Sequence, residues 1–197
     1  MTEISGHGGD ARRVRSSTTI FEGRVFDVRR EIIELPDGRT APFDLVVHPG
    51  AVAIIPLETD GTVALVRQYR PAIGREMLEL PAGTIKPPEP PDVCARRELA
   101  EEAGLAAATW TRLFTFFSAP GICTEKLDVY LAEGLTPAHG ELDEDEAITI
   151  VRVPLREAHA LVRSGEICDS KSIAGLLFLL DHLSRRHRAP AGGHDGG

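Results

Sequence analysis

The chain has 197 residues, 42% of them hydrophobic, and carries a net charge of −8 with an isoelectric point near 5.4. A chain of this size can bury one sizeable core without dividing, and its acidity argues against non-specific binding to nucleic acid or to an anionic membrane surface. The longest strongly apolar stretch, Ile173 to Leu180, is far short of the ~20 residues needed to cross a bilayer, and the opening residues lack the apolar segment of a secretory signal, so a cytoplasmic protein is expected.

Residues 1–16 are rich in Gly, Ser and charge and predict a disordered lead; residues 17–187 predict one folded domain, and residues 188–197 a disordered tail. Strands come first. Thr18 to Phe21, Arg24 to Leu35 and Phe43 to Val47 show β-branched alternation, with Pro36-Asp37-Gly38 as a turn between the last two. Ala51 to Leu57 and Thr62 to Tyr69 read as apolar strands joined by Thr59-Asp60-Gly61, and Met77 to Leu80 as a further strand. A helix follows, closed by Gly104, with Ala95, Leu99 and Ala103, flanked by Val93 and Ala100, as its apolar stripe. Leu113 to Phe117, Leu127 to Ala132 and Ile148 to Val153 are the later strands; helices over Leu155 to Ser164 and Lys171 to about His187 end the domain. Strands flanked by three helices imply a layered α/β fold with a mixed sheet and N-terminal antiparallel strands. Cys94, Cys123 and Cys168 are odd in number and widely spaced, and are read as buried or inert thiols.

The segment Gly83 to Leu105 carries the chemistry. It reads as a glycine, five residues, Glu89, seven residues, then Arg97-Glu98-Leu99-Ala100-Glu101-Glu102-Ala103-Gly104-Leu105. Glu98 and Glu102 stand one turn apart on one helix face, and carboxylates stacked in that way repel unless a cation lies between them. Clustered oxygen ligands on a rigid element suit Mg²⁺ or Mn²⁺. A solvated face with ordinary charge pairs is the common meaning of a Glu-rich helix. At average residue frequencies, however, this set of identities and spacings arises by chance on the order of once in ten million chains.

Three features lie outside that segment. Arg67-Gln68-Tyr69-Arg70-Pro71 ends a strand ahead of Glu79-Leu80-Pro81-Ala82-Gly83; Arg70 reads equally as a phosphate contact or as a surface ion-pair partner. Ser118-Ala119-Pro120-Gly121 places Pro120 sixteen residues past Gly104, which by itself marks only a turn. Glu141-Leu142-Asp143-Glu144-Asp145-Glu146 precedes a strand and by itself reads as a solvated acidic loop.

The spaced segment resembles the signature of the Nudix hydrolases, matching at Gly83, Glu89, Arg97, Glu98, Leu99, Glu101, Glu102, Gly104 and Leu105, with Pro87, Pro88, Pro90 and Pro91 as an unusual bracket around Glu89. Together with the three outer features it resembles the ADP-ribose pyrophosphatase branch. The resemblance spans roughly Ser17 to Leu180 and implies the family's α/β/α sandwich. It implies Mg²⁺-dependent hydrolysis of ADP-ribose to AMP and ribose 5-phosphate, with two or three ions held by the Ala82 carbonyl and by Glu98, Glu101, Glu102 and Glu146, and with Mn²⁺ as an alternative metal. It also implies Glu144 as the base on the attacking water, Arg70, Thr84, Pro120 and Glu125 at the substrate, and Glu89 and Arg97 as braces. The resemblance further implies a homodimer with exchanged N-terminal strands, and Arg24, Phe26 and Phe43 are candidates at the adenine. Two other readings stand beside it: a pyrophosphatase for another nucleoside diphosphate sugar, and a non-catalytic sensor of ADP-ribose or NAD metabolites.

Overall fold

The computed structural model describes residues 13–140 and 147–188. The chain forms two compact units: the described part of Met1–Pro49 with Ala119–Glu125, and Gly50–Ser118 with the described part of Lys126–Gly197. In the first of them β1 (Val14–Glu22) is exposed at all nine positions.

In the smaller unit β1, β2 (Asp27–Glu34) and β3 (Thr40–Val47) form an antiparallel sheet in that order. β2 starts later than Arg24, because Gly23 donates its N–H to the Phe26 carbonyl at 3.1 Å and closes a turn over those residues. The Pro36-Asp37-Gly38 turn is present: Gly38 takes φ +81°, and Leu35 donates to the Arg39 carbonyl at 2.7 Å. β3 also bridges to the 119–125 segment, Val46 donating to the Ile122 carbonyl and accepting from Thr124 N–H.

The larger unit has two sheets. One runs β10 (Ile148–Pro154), β5 (Thr62–Arg70), β6 (Arg75–Glu79); the other runs β7 (Ala82–Thr84), β4 (Ala51–Pro56), β9 (Lys126–Pro137), β8 (Leu105–Phe117). β4 and β9 are parallel and the other pairs antiparallel, so the sheet is mixed. All six residues of β4 are buried, which is why Ala-Val-Ala-Ile-Ile-Pro reads as an unbroken apolar run. Ala53 and Ile55 pack with Val129, Leu131, Ile167, Leu176 and Leu179 on the face that carries α2 (Ala158–Ser164) and α3 (Ser170–Arg188). Val52 and Ile54 pack on the opposite face with Ala95, Leu99 and Ala103 of α1 (Pro91–Ala103). The α/β/α layering is therefore as expected from the sequence.

Two local differences have physical causes, and a third is one of helix type. β8 starts at Leu105 rather than Leu113: its Ala-rich beginning has weak strand propensity, but it pairs with β9 from Leu105↔Pro137 onward, and pairing overrides propensity. The three-residue β7, too short for any periodicity, exists because it pairs with β4. The last helical region begins with a short 3₁₀ turn, Leu155–Glu157, before α2.

Candidate active site

α1 is shaped by its ends. Pro90, extended at φ −67° and ψ 150°, leads into Pro91 at the first helical position, where a missing N–H costs nothing. Gly104 stops the helix in the left-handed region at φ 62°, its N–H meeting the Ala100 and Leu99 carbonyls. The buried face consists of Cys94, Ala95, Glu98, Leu99, Glu102 and Ala103. Val93, assigned to the apolar stripe from the sequence, is 47% exposed instead, because Cys94 takes the inward position.

The helix thus buries two carboxylates along with its apolar side chains. Glu98 is 8% exposed and Glu102 5% exposed. The reason Glu98 fits is Gly83 on β7: a Cβ there would lie 1.8 Å from Glu98 Cδ and 1.9 Å from Oε1. Glu102 Oε2 accepts the Ala82 N–H at 2.8 Å, which ties the strand residue to the helix. Burial raises the Glu98 carboxyl above its ordinary range, outweighing the pull of Arg97.

Arg97 is the hub of the ion pairs. Its Nε and Nη2 meet Glu89 Oε1 and Oε2 at 2.8 and 2.9 Å, and its Nη1 meets Glu98 Oε1 at 2.6 Å and Glu101 Oε2 at 2.8 Å. The fork on Glu89 folds the proline-rich loop back onto the helix, and Lys86 N–H adds a bond to Glu89 Oε2 at 3.2 Å. Thr84 offers its carbonyl to Arg97 Nη2 at 3.5 Å.

The Arg97 fork holds the Glu89 carboxyl down to about 2. For an acid whose folded pKa is depressed, the stabilisation is complete above the unfolded value and is lost as pH falls through the folded one. The Glu89 contribution to stability should therefore be intact at pH 6 and disappear as pH drops from about 4.5 toward about 2. Urea denaturation across that range should show a shallower fall for Glu89→Gln than for the wild type; parallel curves would mean the pair contributes nothing.

Three carboxylates, Glu89, Glu98 and Glu101, pair with the single guanidinium of Arg97, and Glu102 lies one turn beyond Glu98 on the buried face of the helix. A hard divalent cation fits this donor set: two buried carboxylates lie one turn apart, in a cradle that a side chain on residue 83 would fill. Among the described residues no three acidic, His or Cys side chains close around one point, so these side chains alone do not complete a coordination shell. Mg²⁺ commonly completes its shell with water and substrate phosphate.

The second centre of charge lies at the ends of β5 and β6. Arg70 donates from Nε and Nη2 to Glu79 Oε1 and Oε2 at 2.9 and 2.7 Å, so of its two readings the ion pair is the one seen. Glu79 also pairs with Lys171, which reaches Asp169 at 3.0 Å. Burial by itself pushes the Glu79 carboxyl up, but Arg70 and Lys171 together hold it below the ordinary range. Glu79 and Lys171 were missed from the sequence, although a glutamate inside Met77-Leu78-Glu79-Leu80 was a signal, since a charge in an apolar strand needs a partner. Nearby Gln68 is buried, and its Nε2 has no hydrogen-bond partner among the described residues.

Pro120 and Glu125 belong to the smaller unit, Pro120 exposed and Glu125 with a carboxylate oxygen 3.7 Å from His48 Nδ1. Phe26 and Phe43, in the same unit, are exposed, with the Phe21 and Phe26 rings 6.5 Å apart. Glu144 and Glu146 fall outside the described residues. Of the thiols, Cys94 is buried and pushed up to about 12 by that burial, Cys123 is half-buried, and Cys168 is exposed, accepting from Arg75 Nη2 at 3.1 Å. No helix among the described residues is long and apolar enough to cross a membrane.

Comparison with known proteins bears on the same region. The family model described as the NUDIX domain matches residues 47–174, and the one described as the nucleoside diphosphate sugar hydrolase N-terminal domain matches residues 13–46. An ADP-ribose pyrophosphatase of Bacillus subtilis (strain 168) is 38% identical over 162 residues, covering 81% of this chain and 88% of the relative. One of Mycobacterium tuberculosis is 42% identical over 165 residues, covering 82% and 80%. A GDP-mannose pyrophosphatase of Salmonella typhimurium is 33% identical over 185 residues, covering 89% and 88%. A crystal structure of an ADP compounds hydrolase has a TM-score of 0.81 at 26% identity, covering 93% of this chain and all of the other.

Proposed function

The chain belongs to the Nudix hydrolases, and from that premise we propose that it hydrolyses the pyrophosphate of ADP-ribose, giving AMP and ribose 5-phosphate. The observation that carries the chemistry is the buried pair Glu98 and Glu102 beside Gly83. The choice of substrate is supported by two ADP-ribose pyrophosphatases at 38% and 42% identity over at least four fifths of this chain.

In this reading the Ala82 carbonyl and the carboxylates of Glu98, Glu102 and Glu146 hold two or three Mg²⁺ ions, or Mn²⁺, with Glu101 in support. When bound, such ions neutralise the pyrophosphate and make the attacking water more acidic. Glu144 takes the proton from that water; the water oxygen bonds to one phosphorus as the bridging oxygen leaves with the other phosphate. Four acidic neighbours between Glu141 and Glu146 suit Glu144 to this task, since like charges raise a carboxyl toward neutrality. Arg97 holds Glu89, Glu98 and Glu101 in place, so the helix keeps its carboxylates aimed before substrate arrives. Arg70 and Thr84 contact the substrate, and Pro120 marks the preference for ADP-ribose.

We place the enzyme in the cytoplasm as a homodimer with exchanged N-terminal strands, a reading supported by the exposed Ile20, Phe21, Phe26 and Phe43 of the smaller unit. The test is to incubate the protein with Mg²⁺ and ADP-ribose, ADP-glucose, GDP-mannose, NADH or diadenosine polyphosphates, and to resolve the products. Preferential release of AMP and ribose 5-phosphate from ADP-ribose is expected. Preference for GDP-mannose would discard the reading of Pro120, and tight binding of ADP-ribose without turnover would make the protein a sensor. Sedimentation of the same sample should give the mass of two chains; the mass of one would remove the exchanged strands.

A further inference from the structure

Residues that pair across a sheet share a face, and Glu79 stands opposite Val66 while Met77 stands opposite Gln68 and Arg75 opposite Arg70. Arg70, Gln68 and Glu79 therefore project on one side. Arg70 and Glu79 reach toward each other over the Gln68–Met77 pair and meet in a fork. The fork joins unlike environments, because the Glu79 side chain is 2% exposed and the Arg70 side chain 38%. It uses Nε and Nη2, the edge of the guanidinium nearest the stem, and leaves Nη1 outside the pair.

Glu79 is itself held still. Lys171 pairs with its Oε2, and the next residue, Leu80, donates its N–H to Ser172 Oγ at 2.8 Å. The start of α3 is thus bonded to the last residue of β6 and to the residue that follows it. Lys171 divides its charge between Glu79 and Asp169, yet it takes up part of the Glu79 charge that would otherwise fall wholly on Arg70. The Arg70 guanidinium is pushed up chiefly by its bonds to Glu79, with Glu102 adding to this through space, so Arg70 lies within electrostatic reach of Glu102 on α1.

We propose that Glu79 is a positioning residue: by gripping the inner edge of the Arg70 guanidinium, it aims the outer edge at a phosphate of the substrate. The proposal rests on the reading of Arg70 as a substrate contact. A free arginine would lose several rotamers on binding an anion, whereas one fixed at its inner edge has lost them already. A lysine at position 70 would keep the charge and the pairing with Glu79, but not the two-edged geometry.

The test is a double-mutant cycle of Arg70→Ala and Glu79→Gln, with Arg70→Lys as a third variant, each assayed for KM and kcat on the preferred substrate of the wild type. A wrong substrate and a wrong role for Glu79 then fail separately. Each single change is expected to raise KM about tenfold with a smaller change in kcat, and the double variant to be no worse than Arg70→Ala. Arg70→Lys should behave like Arg70→Ala even if Glu79→Gln fails to fold. Effects that multiply in the double variant would make Glu79 merely structural. A wild-type KM in Arg70→Ala or in Arg70→Lys would also overturn the proposal.

Discussion

Replacing Glu98 with glutamine should cut turnover by about 10²- to 10³-fold while making the metal-free protein more stable. Both effects have one cause. Glu98 is buried, and burial raises its carboxyl above the ordinary range despite Arg97. For an acid whose folded pKa is raised, ionisation in the folded state is a cost that appears as pH climbs past the unfolded value and persists at neutrality. Glutamine occupies nearly the same volume and removes that cost, along with an oxygen that binds metal in the proposed reading. Thermal melts at pH 7.5 in EDTA should place Glu98→Gln at or above the wild type, and adding Mg²⁺ should stabilise the wild type more than the variant. A variant with wild-type turnover would take Glu98 out of the site; a strongly destabilised one would show that its bond to Arg97 outweighs its desolvation.

The second large effect is expected at Gly83. No positive φ is required there, so alanine brings no backbone strain; what it brings is a methyl carbon 1.8 Å from Glu98 Cδ and 2.4 Å from Cγ. The obstructing atoms belong to the outer part of a flexible side chain, so Glu98 can swing aside and stability should fall by no more than about 1–2 kcal/mol. Catalysis has less tolerance, since a shift of about 1 Å in a catalytic group can cost on the order of 10²-fold. Gly83→Ala should therefore keep its urea midpoint close to the wild-type value and lose about 10²-fold in kcat. Full activity would mean that Glu98 is not needed where the structure places it, and a collapsed midpoint would mean that Gly83 serves folding rather than the site.

These two residues also show why the signature was legible and its meaning was only partly so. The spacing of Glu98 and Glu102 on a helix follows from 3.6 residues per turn, and the sequence identified them on that ground. That the pair is buried, and that Gly83 makes the room, depends on β7, which is too short to show any periodicity. Arg70 shows the same division. As sequence it read equally as phosphate contact or ion-pair partner; the pairing with Glu79 came to light only through the register of β5 on β6. Val93 was misplaced because a helix stripe drawn from hydropathy prefers valine to cysteine and glutamate, whereas this helix buries both of the latter.

By itself the sequence determined the layered α/β class, the helix from the proline-rich loop to Gly104, the inward β4 and the identity of the α1 carboxylates, because each depends on local pattern or on a spacing along one element. The tertiary structure alone decided which charges meet across elements: Glu102 with the Ala82 amide, Glu79 with Arg70 and Lys171, and Glu98 with the open face of Gly83. Those meetings join residues up to 92 positions apart, and no local periodicity encodes them; they are set by strand register and by burial, which makes an unpaired charge too costly to leave alone.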